Sequence, residues 1–199
     1  VIVDEFNRIA SRALQNHAGS GSLRITAIVP SAVGPVVHWT APLLARERQR
    51  KALGVVGIVS GPVILDILVR VLAARWRKGA PYCPQDWDTQ LAARYRRVFG
   101  RQLPSTGPGW CWLWEAGAQA IVASGVPRSF KTTDLKEKYG SARWYHQADE
   151  DCEYVDDITD AVEHLSGFIC EDCGKPGMIR RGSWIRCQCD LHAKGRQGS

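Results

Sequence analysis

Two short cysteine-containing turns near the C-terminus constrain this chain more than any other feature. Cys170-Glu-Asp-Cys173 is a C-x-x-C with Gly174 directly behind it, and after fifteen intervening residues Cys189-Asp-Leu-His192 forms a C-x-x-H. A two-residue spacing sets both side chains of a turn toward one point, and the glycine permits the tight backbone. Two such turns brought together supply three thiolates and one imidazole in a tetrahedron, the donor set of a Zn²⁺ site. The spacing therefore predicts a metal site on Cys170, Cys173, Cys189 and His192. Four protein ligands leave no open position, so the expected Zn²⁺ is structural rather than catalytic. Cys187 offers a second candidate for the third ligand; Cys189 is preferred because its spacing lets it face one ion together with His192. The intervening Gly-Lys-Pro-Gly and Arg-Gly-Ser segments predict a short hairpin of Met178–Arg180 and Trp184–Arg186.

The remaining cysteines bear on the cellular setting. The chain has seven in all, an odd number, and opens Val1-Ile-Val-Asp-Glu-Phe-Asn with neither a basic n-region nor an apolar h-region. A reducing, cytoplasmic setting with metal-bound thiolates is the simplest expectation. Residues 25–45 carry no charge and are long enough to span a bilayer, but Pro30, Pro35 and Pro42 interrupt them. The second apolar stretch, Ala52 to Leu65, ends at Asp66 after only 14 residues. No membrane partner is expected.

Periodicity and breakers divide the chain in two. Residues 1–84 read as an apolar, basic and mostly helical region. A helix from Asp4 to Leu14, capped by Asp4, precedes a strand from Leu23 to Val29; the stretch to Pro42 is ambiguous. A basic helix is expected from Leu43 to Leu53, and another begins at Pro62 and closes on Arg75, Arg77 and Lys78. The turn-like Lys78–Pro84 marks the boundary. Residues 85–199 read as an α+β module with its zinc site at 168–193. In that module Asp86 caps a helix carrying Leu91, Tyr95, Val98 and Phe99 on one face, and Trp110–Ser124 forms another helix. Ser129–His146 holds two strands around Glu137-Lys138-Tyr139-Gly140. Val155, Ile158, Val162 and Leu165 then mark a helix whose other face draws on the eight acids of Asp149–Glu163. The fold class expected is α+β: a mainly helical N-terminal region, then a helix and β-hairpin module ending in a zinc knuckle.

Three blocks resemble a group of small, uncharacterised bacterial and phage or prophage proteins. They are Tyr95-Arg-Arg-Val-Phe99 with Gly109-Trp110-x-x-Leu113, then Leu135-Lys-Glu-Lys-Tyr-Gly-Ser-Ala-Arg-Trp-Tyr145, similar to that group's IKEKFGGLRFY, and finally the cysteine-rich tail. The tail is similar to CEVCGAPG…GWLRTLCDEHA, which aligns Cys189 rather than Cys187 with the ligand. Tyr139 stands where the group has Phe, Ala142 where it has Leu, and Cys187 is an added thiol. The resemblance covers about residues 90–195 and implies a zinc-bearing domain from a mobile element, acting in the host cytoplasm; it brings no activity with it.

Charge suggests the partner. The net charge is +6, and residues 1–88 carry 11 basic against 6 acidic groups while residues 89–199 carry 15 against 14. Arg46, Arg48, Arg50 and Lys51 form the densest basic patch, and Arg180, Arg181 and Arg186 lie on the expected zinc hairpin. These seven are the candidate contacts to nucleic acid or to a nucleoprotein complex. Lys136, Lys138 and Arg143 interleave with Tyr139, Trp144 and Tyr145, a pattern that binds phosphates and stacks bases, or simply alternates aromatics into the core. Cys83, Cys111 and Cys152 read as buried, unreactive thiols. The chain lacks H-E-x-x-H, G-x-x-x-x-G-K-[ST] and G-x-S-x-G, and no motif points to a small-molecule substrate. The expected role is a non-catalytic binding protein. A protein-directed inhibitor or adaptor of a host defence or transcription complex is the alternative, and a metal-dependent nuclease a distant third.

Overall fold

Apolar residues recurring every three to four positions build helix α1 (Ile2–Ala13), which buries Phe6, Ile9, Ala10 and Ala13. The computed structural model describes residues 1–45, 59–149 and 152–193. Asp4 does not cap α1, because the helix starts at Ile2; Asp4 and Glu5 instead occupy its first turn, where the helix dipole favours carboxylates. Strands β1 (Arg24–Val29) and β2 (Val36–Thr40) pair as an antiparallel hairpin, so the ambiguous stretch before Pro42 is the return strand. Of the helix expected over Leu43–Leu53 only the first three residues are described, and there the chain turns and buries Leu44. Arg46, Arg48, Arg50 and Lys51 lie outside the described residues.

Helix α2 (Gly61–Trp76) has Pro62 in its first turn and is apolar on nearly every side. That composition fits its place: α1, β2, α5 and α6 all pack around it. The helix expected after Asp86 breaks at Tyr95 into α3 (Trp87–Arg94) and α4 (Arg96–Phe99), because Tyr95 leaves helical geometry at φ −112° and ψ 43°. The Asp86 carboxylate does not cap α3 either; it accepts a hydrogen bond from Gln90 Nε2 at 2.8 Å. A 3₁₀ turn at Pro108–Trp110 leads into α5 (Cys111–Ser124), buried over most of its length.

Strands β3 (Lys131–Lys138) and β4 (Ser141–Gln147) form the second hairpin, with Tyr139 and Gly140 both at positive φ in its turn. Thr132, Leu135, Ala142 and Trp144 face inward, and Phe99 stacks on Trp144 at 5.4 Å. Helix α6 (Glu153–Ser166) covers this hairpin and α5. The last hairpin pairs β5 (Met178–Arg180) with β6 (Arg186–Gln188) in the register Arg180↔Arg186 and Met178↔Gln188. The second strand thus starts two residues later than the sequence suggests. Burial of Cys187 sets this register, and Trp184 falls in the exposed loop.

The turn near residue 84 does not separate two cores. One buried apolar cluster runs from Phe6 on α1 to Cys187 on β6, with α2 of the N-terminal half at its centre. Arg75 also crosses that boundary: its Nη1 lies 2.8 Å from both carboxylate oxygens of Glu5 in the same half, and its Nη2 donates to the Cys173 carbonyl of the other half at 3.3 Å. Among the described residues no helix is long and apolar enough to cross a membrane.

Candidate metal centre

The two cysteine turns fold as their spacing requires. Gly174 N donates to the Cys170 carbonyl at 2.8 Å and Cys170 N to the Lys175 carbonyl at 2.8 Å, which closes the first turn, with Gly174 at φ 72°. In the second turn His192 N and Ala193 N both donate to the Cys189 carbonyl at 3.0 Å. The four ligand atoms of Cys170, Cys173, Cys189 and His192 all lie within 4.8 Å of one another, close enough to hold a metal ion.

Three edges of this quartet fit a tetrahedral ion. Cys173 Sγ and Cys189 Sγ are 3.8 Å apart, the edge spanned by two metal–sulfur bonds of about 2.3 Å at tetrahedral angles. His192 Nδ1 stands 3.5 Å from Cys170 Sγ and 3.3 Å from Cys189 Sγ, as expected for one shorter metal–nitrogen bond. A hydrogen bond from the Cys173 thiol, helped by backbone N–H groups, lowers the Cys170 pKa to about 4 despite burial. The same contact and burial raise the Cys173 pKa, so the pair favours one thiolate, the form that binds metals. Cys187 is fully buried outside the quartet, and burial pushes its thiol pKa up.

The knuckle is clamped to the body of the protein rather than hung from it. A Cβ on Gly109 would lie 2.3 Å from the Cys170 carbonyl oxygen and 2.5 Å from Cys173 N, so only glycine lets the start of α5 approach the ligand turn. Gly109 N donates to the Glu171 carbonyl at 2.7 Å, and Trp110 Nε1 to the Ile169 carbonyl at 2.7 Å. From α1, Arg12 Nη1 reaches the Gly177 carbonyl at 2.9 Å.

The hairpin arginines divide by role. Arg186 pairs with Glu171 and Asp172, both at 3.1 Å, and Arg180 pairs with Asp190. These pairs tie the first ligand turn to β6 and the second turn to β5, so both cations are already engaged. Arg181 is exposed in the loop between the strands. In the β3–β4 hairpin Trp144 is core and Arg143 lies 3.5 Å from Glu163, whereas Tyr139 and Tyr145 are exposed. Lys136 Nζ sits 5.1 Å over the Tyr145 ring and Lys138 Nζ 5.6 Å over the Tyr139 ring. The turn of this hairpin meets the knuckle loop: Gly140 abuts Ile185 and Arg186, and Glu137 and Trp184 line one shallow groove. Trp184 was legible in sequence only as a hairpin residue; a two-residue shift in register is what exposes it.

The acidic helix is less open than its composition suggests. Glu163 accepts a hydrogen bond from Trp144 N at 2.7 Å, and Asp156 lies 3.3 Å from His146 Nε2. His164, which has no partner at recognisable sequence spacing, donates from Nε2 to the Ala13 carbonyl at 2.8 Å. No known protein family, curated protein or solved structure matches this chain.

Proposed function

We propose that this chain is a non-catalytic nucleic-acid-binding protein of mobile-element origin, stapled by a structural Zn²⁺ on Cys170, Cys173, Cys189 and His192. Three sulfurs and one imidazole at tetrahedral spacing suit Zn²⁺ among the common divalent ions. Elemental analysis of the purified protein is expected to find one zinc per chain.

The observation that carries the binding role is the surface where two hairpin tips meet. Tyr139 at one tip is 68% exposed and Trp184 at the other 63%, and large aromatic rings are seldom left so bare. Lys138 rests 5.6 Å over the Tyr139 ring, and the exposed Arg181 lies in the same hairpin loop as Trp184. The nearby carboxylates are engaged within the protein: Asp134 pairs with Lys136, Glu137 accepts from Gly140 N at 2.5 Å, and Glu171 pairs with Arg186. Rings that stack on bases beside cations that meet phosphates are the working parts of a single-strand-binding surface.

Fluorescence anisotropy with labelled single-stranded and duplex oligonucleotides tests this reading. Affinity is expected to fall steeply between about 50 and 200 mM salt. Tyr139→Ala and Trp184→Ala are each expected to weaken single-strand binding by about tenfold or more, with unchanged thermal stability. Absence of salt-sensitive binding, together with a protein partner that survives nuclease treatment, would replace this reading with the protein-directed inhibitor or adaptor.

A further inference from the structure

A second concentration of charge lies away from the hairpin tips. A cavity of about 290 Å³ opens where the end of α2 meets α3 and the first turns of α5. Glu115 of α5 is buried beside it, and its Oε1 accepts from Arg77 Nη2 at 2.7 Å and from Arg94 Nη1 at 2.8 Å. One carboxylate thus serves two guanidinium groups. Lys78, on the same rim, rests 5.1 Å over the exposed ring of Tyr82 and has no carboxylate partner among the described residues. Three cations therefore face one carboxylate, and two positive charges remain. Arg75 adds an independent sign of a missing acceptor. It lines the same cavity and is 2% exposed, and although Glu5 holds its Nη1 and the Cys173 carbonyl its Nη2, its Nε has no hydrogen-bond partner among the described residues.

From this arrangement we propose that the cavity binds a phosphate monoester carried on a small planar group, the chemistry of a mononucleotide. A dianionic phosphate matches the two uncompensated charges, and planar guanidinium forks match its oxygens. Glu115 keeps Arg77 and Arg94 oriented before the ligand arrives, which reduces the ordering cost of binding. The exposed Tyr82 ring provides a stacking face for the planar group. The volume sits at the small end of ligand pockets, which favours a single nucleotide unit. A free mononucleotide and the 5′-phosphorylated end of a nucleic acid share this chemistry.

Titration calorimetry of the full chain with adenosine monophosphate and with adenosine tests the site. The monophosphate is expected to bind at least tenfold more tightly than adenosine. Arg94→Ala and Lys78→Ala, both on the exposed rim, are each expected to reduce its affinity by about tenfold, with circular dichroism confirming the fold. Tyr139→Ala, on the hairpin tip, is expected to leave it unchanged, which separates this site from the single-strand surface. Competition then identifies the source: displacement by a 5′-phosphorylated hexanucleotide but not by its 5′-hydroxyl counterpart assigns a chain end, and displacement by neither assigns a free nucleotide. Displacement by both overturns the monoester assignment. No binding of the monophosphate at millimolar concentration, equal affinity for adenosine, or indifference to Arg94→Ala overturns the proposal.

Discussion

The knuckle and the α2–α5 cavity both gather thiols, arginines and carboxylates, and they differ in how those groups are matched. In the knuckle the two strand arginines each have their own acidic partner or pair of partners, Arg180 with Asp190 and Arg186 with Glu171 and Asp172. Three thiols there converge with an imidazole within 4.8 Å. At the cavity two arginines share the Glu115 carboxylate. The thiols beside it, Cys83 and Cys111, hydrogen-bond to each other, and burial raises the Cys111 pKa. Matched charge with four converging donors makes a closed site for a cation. Surplus positive charge beside only two thiols is instead the setting in which we propose an anion.

Removing the metal breaks this contrast with the largest effect. Cys170→Ser is expected to lose zinc and to cost about 5 kcal/mol or more of stability. Because Gly109, Arg75 and Arg12 bind the knuckle backbone, the loss should reach the whole chain. Chemical denaturation would show one transition shifted as a unit; separate melting of the tail alone would contradict the clamped knuckle. Cys187→Ser is the control and is expected to retain one zinc per chain.

Glu5→Ala perturbs the cavity side. It leaves Arg75 charged and buried, with side chains of the pair only 2% and 7% exposed, and is expected to cost about 3–5 kcal/mol. Zinc content should not change, so denaturation and elemental analysis together separate the two clusters.

The smallest effect is a pH slope belonging to neither cluster. Burial, against α1, lowers the His164 pKa from its ordinary 6.5. The unfolded chain therefore takes up more protons than the folded chain between the lowered value and about 6.5, and stability falls as pH drops through that window. His164→Gln is expected to flatten the slope, measured as thermal midpoints of matched samples from about pH 5 to 7. What slope remains includes protonation of the metal ligands.

Legibility followed sequence distance. The C-x-x-C and C-x-x-H turns are set by residues three apart, so their ligands could be read directly, and Cys189 could be separated from Cys187 by spacing. Helices α1, α5 and α6 lie within a few residues of where they were expected. The exceptions arose where tertiary partners override local preference. Tyr95 breaks one predicted helix in two, and β6 slides two residues so that Cys187 is buried and Arg186 reaches Glu171. The acids on α6 read as a free charged face, yet Glu163 and Asp156 are engaged by the β3–β4 hairpin. Arg75, Arg77 and Lys78 looked like the cationic end of a helix, and nothing local to them points to Glu115 or to a cavity.

By itself, the sequence determined the cysteine–histidine quartet, the α+β class and the main helices, because each depends on neighbours within one or two turns of chain. Tertiary structure alone decided which cations remain unmatched. Arg77 meets Glu115 across 38 residues and Arg75 meets Glu5 across 70. It also decided that the two halves share one core around α2 and that Tyr139 and Trp184 are exposed on hairpin turns that meet at Gly140 and Ile185. Charge pairing and exposure depend on distances in space, and these are set only once the helices pack.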